Sequence, residues 1–286
     1  MNIEALIASS IDGLMLGFVF GLMAMGLTLI FGVMKVINLS HGPFIVMGMF
    51  AVLVMSQNLS INPYLGLAVV VPLGLVTGIV VYFVAVHRVI NAPELTTLLA
   101  TFSVNMILVG ALTIIFSTSP RGLDLELPSF RTGAITVLGT QVVAVLVAVI
   151  VTVALYLFLY RTRTGKSIRA VANNRGAAEL MGINSTWILA LSFGIGTMLA
   201  MISGGLLATR FSFTVLSGGG LETKSFVIVV LGGLGNPTGA LFGGIIIGLL
   251  ESITTVFIPV SWVPVFEFVV FVLILLFRPT GLFGAR

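Results

Sequence analysis

Few side chains in this 286-residue sequence could do chemistry. Asn38, Ser40 and His41 share a short polar break, Asn105 and Glu267 interrupt long apolar runs, and Gly233, Gly235 and Asn236 belong to the run GGLGNPTG. There is no Cys, and His41 and His87 lie far apart, so neither a thiolate nor a His-based metal site is expected. No acid and base stand paired as an enzyme would need. TGKS at Thr164–Ser167 ends like a phosphate-binding loop, but position 160, where that loop needs Gly, is Tyr160. GGLGNPTG fails the dinucleotide spacing because Thr238 stands where the third Gly belongs. What remains open to these residues is the handling of a passing solute: polar groups inside apolar segments are costly in lipid and face protein or a water-filled cavity.

Each of them has two readings. Asn38, Ser40 and His41 either cap and turn the cytoplasmic end of the first span or line the inner mouth of a path. Asn105 either bonds between helices or lines that path. Glu267, four residues into the last span from its outer side, is a functional candidate by default, or reaches the interface beside Arg210 or Lys224. Glu251 takes the same reading. The break at Gly232–Gly239 is either a tight helix crossing or a pathway element, because the backbone groups it exposes need protein or water around them.

The elements that must position these groups are membrane spans. The chain is 58% hydrophobic and 8% charged, with mean hydropathy +1.24, far from the roughly one-quarter charged of soluble domains. The expected class is an all-α polytopic membrane protein of one domain, residues 1–286, with eight or nine membrane segments. Spans are expected over Ile11–Val33, Pro43–Gln57, Tyr64–Val86, Thr97–Phe116, Gln141–Tyr160, Thr186–Ala208, Gly239–Glu251 and Val263–Phe277. Ser225–Leu231 is too short to cross and reads as a half-helix broken at Asn236-Pro237. Gly13, Gly17 and Gly21, like Gly74 and Gly78, or Gly239 and Gly243, or Gly244 and Gly248, recur at every fourth position and should let helices approach closely. Glu4 and Asp12 stand where a signal peptide would be basic, so the first run is expected to remain as a span.

Between the fifth and sixth spans lies RTRTGKSIRAVANNRGAAELMGIN, with Arg161, Arg163, Lys166, Arg169 and Arg175 against Glu179. A short basic loop stays cytoplasmic, which puts Lys35, Arg88, Arg278 and Arg286 inside and the N-terminus outside. The mixed-charge loop Ser117–Thr140, with Asp124 and Glu126, then lies outside. The +4 net charge thus reports orientation in the bilayer, not nucleic-acid binding. Ala170–Met181 reads as one short helix whose apolar ridge, Ala177, Leu180 and Met181, suits a docking surface.

GLTLIFGVMKVINLSHGPFIVMG, the basic loop, VIVVLGGLGNPTGALFGG and RPTGLFG together resemble the branched-chain amino acid importer permease family, in its H-type subunit, over nearly the whole chain. GAAELMG, Gly176–Gly182, is similar to the AAxxxG core by which importer permeases dock on their ATPases, with Gly176 where Glu often stands. The resemblance implies an inner-membrane permease of a bacterium, without cofactor, that pairs with a second, M-type permease, sits on two ATP-binding subunits and receives substrate from a periplasmic binding protein. It implies coupling through Ala170, Asn173, Gly176, Ala177, Ala178, Leu180, Met181 and Gly182. Two other classes stay open: an ion-coupled carrier using Glu267, and a passive channel for urea or an amide, since Asn62-Pro63 and Asn236-Pro237 superficially resemble paired half-helix motifs.

Overall fold

The computed structural model describes residues 3–123, 125, 127–132, 135–278 and 280–284. Asp124 and Glu126 of the loop after Phe116, and Arg286 at the C-terminus, lie outside the described residues. Among the described residues eight helices are long and apolar enough to cross a bilayer: α1 (Ile3–Met34), α2 (His41–Leu59), α3 (Pro63–Val81, continued by a π turn to Val86), α4 (Glu94–Phe116), α5 (Gly139–Arg161), α8 (Ser185–Ala208), α10 (Pro237–Phe257) and α11 (Val263–Phe277), the last preceded by a short 3₁₀ turn. Apolar runs take this form because an α-helix bonds its own backbone groups where no water can. Between α5 and α8 lie α6 (Arg163–Asn173) and α7 (Arg175–Leu180); α9 (Ser217–Gly232) precedes α10. The loop between α4 and α5 holds a small antiparallel hairpin, β1 (Phe130–Thr132) with β2 (Ile135–Val137), and Arg121 exchanges two backbone bonds of 2.8 Å with Phe213.

The glycine stripes find each other. A Cβ on Gly13 would lie 2.6 Å from the Gly248 carbonyl oxygen, and one on Gly17 2.6 Å from Ile245 Cα, so α1 and α10 meet backbone to backbone. Gly74 and Gly78 do the same for α3 against Met198 and Gly194 of α8, at 2.7 Å each. In lipid, where apolar side chains gain little by meeting each other, such close packing is what holds helices together. Over their most apolar stretches 78% of α1 and 89% of α8 is buried, against 11% of α4 and of α11, so a glycine-sealed core carries loosely attached outer helices.

Three elements depart from the sequence reading. The polar break is not at the end of the first span: after Lys35 turns the chain with φ 56°, residues 35–40 run back alongside α1, and α2 starts beside Met23, about three turns inside the end of α1. The basic loop is not one helix over Ala170–Met181, because Asn174 leaves the helical region at φ −155° and caps a second helix by accepting from the Ala177 N–H at 3.0 Å. The short apolar piece expected from Ser225 starts at Ser217, and its 16 residues are about 24 Å long, still short of a full hydrocarbon core.

Candidate functional site

A segment without regular structure inside a membrane protein needs partners for its backbone, and residues 37–40 obtain them from distant side chains. The Thr101 hydroxyl donates to the Ile37 carbonyl and accepts from the Leu39 N–H, both at 3.2 Å. The Asn105 amide, half-way along α4, donates to the Leu39 carbonyl at 2.5 Å and to the Glu222 carboxylate at 3.1 Å. Glu222 also packs against Gly42, where a Cβ would lie 2.8 Å from its Oε2. Asn38 accepts from the Ser40 N–H at 3.1 Å and hydroxyl at 2.6 Å, and His41 Nε2 meets the Met23 carbonyl at 3.1 Å. Asn38, Ser40 and His41 are fully buried, and Asn38 Nδ2 and His41 Nδ1 have no partner among the described residues. The four polar residues singled out on α1–α2 and α4 thus form one knot, tied by two residues that sequence reasoning missed, Thr101 and Glu222. The signal for Glu222 was an acid four residues after Gly218 in a helix that was placed too late.

On the opposite face of α9 is a cavity of about 580 Å³, walled by Met49, Leu207, Val227 and Phe268. Its charged lining is Lys224, whose Nζ lies 2.7 Å from Glu251 and 3.3 Å from Glu267. Glu267 therefore stands with Lys224, one of the two cations considered for it. The other, Arg210, grips Asp12 at 2.6 and 2.7 Å, and Gln141 and Ser252 bond the same carboxylate, joining α1, α5 and α10 to the end of α8.

Toward the other end of α9 a cavity of about 500 Å³ opens between Phe31, Lys35, Thr97, Leu98, Val230 and Leu234. Gly233 and Gly235, at φ 97° and 81°, make the turn from α9 to α10 at this end, so the break is a hairpin turn and not an interruption within a span. Asn236 caps α10 by accepting from the Gly239 N–H at 3.1 Å, and donates to the Phe283 carbonyl at 3.0 Å, while Leu282 bonds Leu231 at 2.7 Å. The C-terminal segment folds over the turn. Asn62 likewise caps a helix, α3, with Pro63 at its first position, so the two Asn-Pro pairs are helix starts.

In the basic loop Ala170, Asn173, Gly176, Ala177, Leu180, Met181 and Gly182 are exposed, with Leu180 and Met181 at 91% and 83%. Ala178 is buried and anchors α7. Arg175 fixes the helix from its other side, bonding Glu179 at 3.0 Å, Ser185 of α8 at 3.2 Å and Asn91 at 3.2 Å. Glu179 also accepts from Ser185, and that bond, followed by the one from Arg175, holds its carboxyl below the usual carboxylate range. Gly182, at φ 81°, ends the element.

Residues 9–277 match the family described as branched-chain amino acid transport system, permease component. The chain is 30% identical to the high-affinity branched-chain amino acid transport system permease protein BraD of Pseudomonas aeruginosa, over 96% of this chain and 94% of that one. It is 27% identical to LivH of Escherichia coli K12, with the same coverage, and 29% identical to a probable LivH of Methanocaldococcus jannaschii over 92% and 88%. No solved structure matches. With eight apolar helices and a family match that runs from α1 to the last residue of α11, this chain belongs to the branched-chain amino acid transport permease family.

Proposed function

We propose that this chain is one half of the pore of an ATP-driven importer that moves branched-chain or similar small aliphatic amino acids into the cytoplasm by alternating access. A second, M-type permease completes the pore, two ATP-binding subunits drive it, and a periplasmic binding protein delivers substrate. In this reading the chain sits in the inner membrane with its N-terminus outside and its C-terminus inside. The path runs along α9, from the cavity at Lys224 and Glu267 past the knot of Asn38, Ser40, His41 and Asn105 to the cavity framed by the Gly233–Asn236 turn.

The observation that carries the proposal is α7. Its exposed Leu180 and Met181 offer an apolar contact in an otherwise polar loop, and Arg175 ties the same short helix to α8 and to the turn before α4. A push on that ridge reaches the most buried helix and the one that closes the knot.

The test is a mild-detergent purification of the tagged chain from its native membrane beside Leu180→Arg/Met181→Arg, with each co-purifying subunit identified. The wild type should bring the second permease and both ATP-binding subunits, and the variant should keep the permease and lose the ATP-binding subunits about tenfold, as expected when a hot spot is charged. Recovery of the chain without any ATP-binding subunit, in both forms, would overturn the reading.

A further inference from the structure

We infer that the cavity on the open face of α9 is a transient site for a zwitterionic aliphatic amino acid, with Lys224 taking the carboxylate, Glu267 and Glu251 the ammonium, and the apolar wall the side chain. The inference rests on the importer reading and deepens it. Three observations carry it. The cavity, at about 580 Å³, lies within the range of about 300–1,000 Å³ typical of small-molecule sites. Its charges do not balance: two carboxylates share one ammonium. Glu267, at 6% exposure, lines the cavity, and among the described residues its Oε1 has no hydrogen bond beyond the 3.3 Å ion pair with Lys224.

A surplus negative charge against Met49, Leu207 and Phe268 is costly unless a cation or a proton arrives. A simple cation would satisfy the acids but leave Lys224 and the apolar wall without use. An amino acid uses all three, since its ammonium adds the missing donor and its carboxylate takes over the lysine shared between the glutamates. The charges lie on three elements, Lys224 on α9, Glu251 on α10 and Glu267 on α11. Binding therefore exchanges protein ion pairs for ligand ion pairs, so affinity should be weak and release easy.

The experiment is saturation-transfer NMR on the assembled membrane complex in nanodiscs, without the binding protein, using leucine, leucinamide and 4-methylpentanoate as probes. Wild-type complex should transfer saturation to the leucine methyls, and much less to leucinamide, which lacks the carboxylate, or to 4-methylpentanoate, which lacks the ammonium. The triple variant Lys224→Gln/Glu251→Gln/Glu267→Gln removes the charges without stranding one, and should lower the leucine signal about tenfold. Gly220→Leu, which fills open space on the same face, should lower it with the charges intact and guards against a misfolded triple variant. An equal leucine signal in wild type and both variants, or an equal signal from leucine and leucinamide, overturns the site. ATP-dependent leucine uptake by the same complex with its binding protein separates the two readings: uptake without a leucine signal sinks the site alone, whereas no uptake by wild type sinks the importer.

Discussion

Glu222 and Lys224 stand two residues apart on α9, about 200° around the helix, and have opposite surroundings. Glu222 faces α2 and α4, and its carboxylate accepts from the Asn105 amide that also bonds the Leu39 carbonyl. Lys224 faces a cavity and shares itself between two acids on α10 and α11. The glycines one turn earlier follow the same division: a Cβ on Gly218 would lie 3.0 Å from the Gly42 backbone, whereas one on Gly220 would meet nothing within 4 Å. One helix therefore has a sealed face, where Glu222 is committed to structure, and an open face, where charge remains available. A moving substrate needs the second kind, and a helix that must hold its place in a pore needs the first.

The largest effect should come from breaking the sealed face. Glu222→Leu leaves one N–H of the Asn105 amide without its acceptor, worth about 1–3 kcal/mol when buried without a partner. The detergent-solubilised complex should lose most of its monodisperse peak on size exclusion, while Glu222→Gln, which still accepts through its amide oxygen, should keep it. Equal recovery of the leucine variant would mean that the knot is not what holds α2 and α4 to α9.

The glycine pair sharpens the contrast at smaller cost. Gly218→Val presses two methyls against the Gly42 backbone and should destabilise by about 1–3 kcal/mol, the usual range for overpacking. Gly220→Ala sits in free space in a helix and should stabilise by about 0.5–1 kcal/mol through lost backbone freedom in the unfolded chain. Thermal melts followed by tryptophan fluorescence should move in opposite directions, and a shared direction would contradict the two-faced description.

The sealed face also explains what could and could not be read from the sequence. Stripes such as Gly13–Gly17–Gly21 and Gly244–Gly248 are legible because a period of four is local, and they do meet. The depth of Asn38–His41 is not local. It is set by Thr101, Asn105 and Glu222, whose side chains make an irregular segment tolerable beside α1, and nothing within residues 35–42 announces them. Gly218, Gly219 and Gly220 have weak helix propensity, yet α9 starts at Ser217, ahead of them and of Glu222. Gly218 is there because only a residue without Cβ lets α9 reach Gly42. Likewise Asn173-Asn174 ends a helix by capping the next, a choice that an Ala-rich window hides. The family, carried by long motifs in order, was legible; the residue pairings that build the cavity come from three helices and were not.

Glu179 provides the smallest prediction and a control in water for both faces of α9. It too is an acid held by a hydroxyl and a cation, Ser185 first and Arg175 second, but it lies in the exposed loop. Because those bonds lower its folded pKa, their contribution is complete above the ordinary carboxylate pKa and is lost only as pH falls through the lower folded value. The anchoring of α7 to α8 should therefore be flat from neutral pH down to about 5, and should loosen only in more acid buffer. Hydrogen exchange of the α7 amides at matched intrinsic rates reads this directly. In Glu179→Gln the acid-dependent step should vanish while the Arg175 bond to Asn91 keeps part of the protection. A step centred near neutral pH would mean that a group other than Glu179 governs the loop.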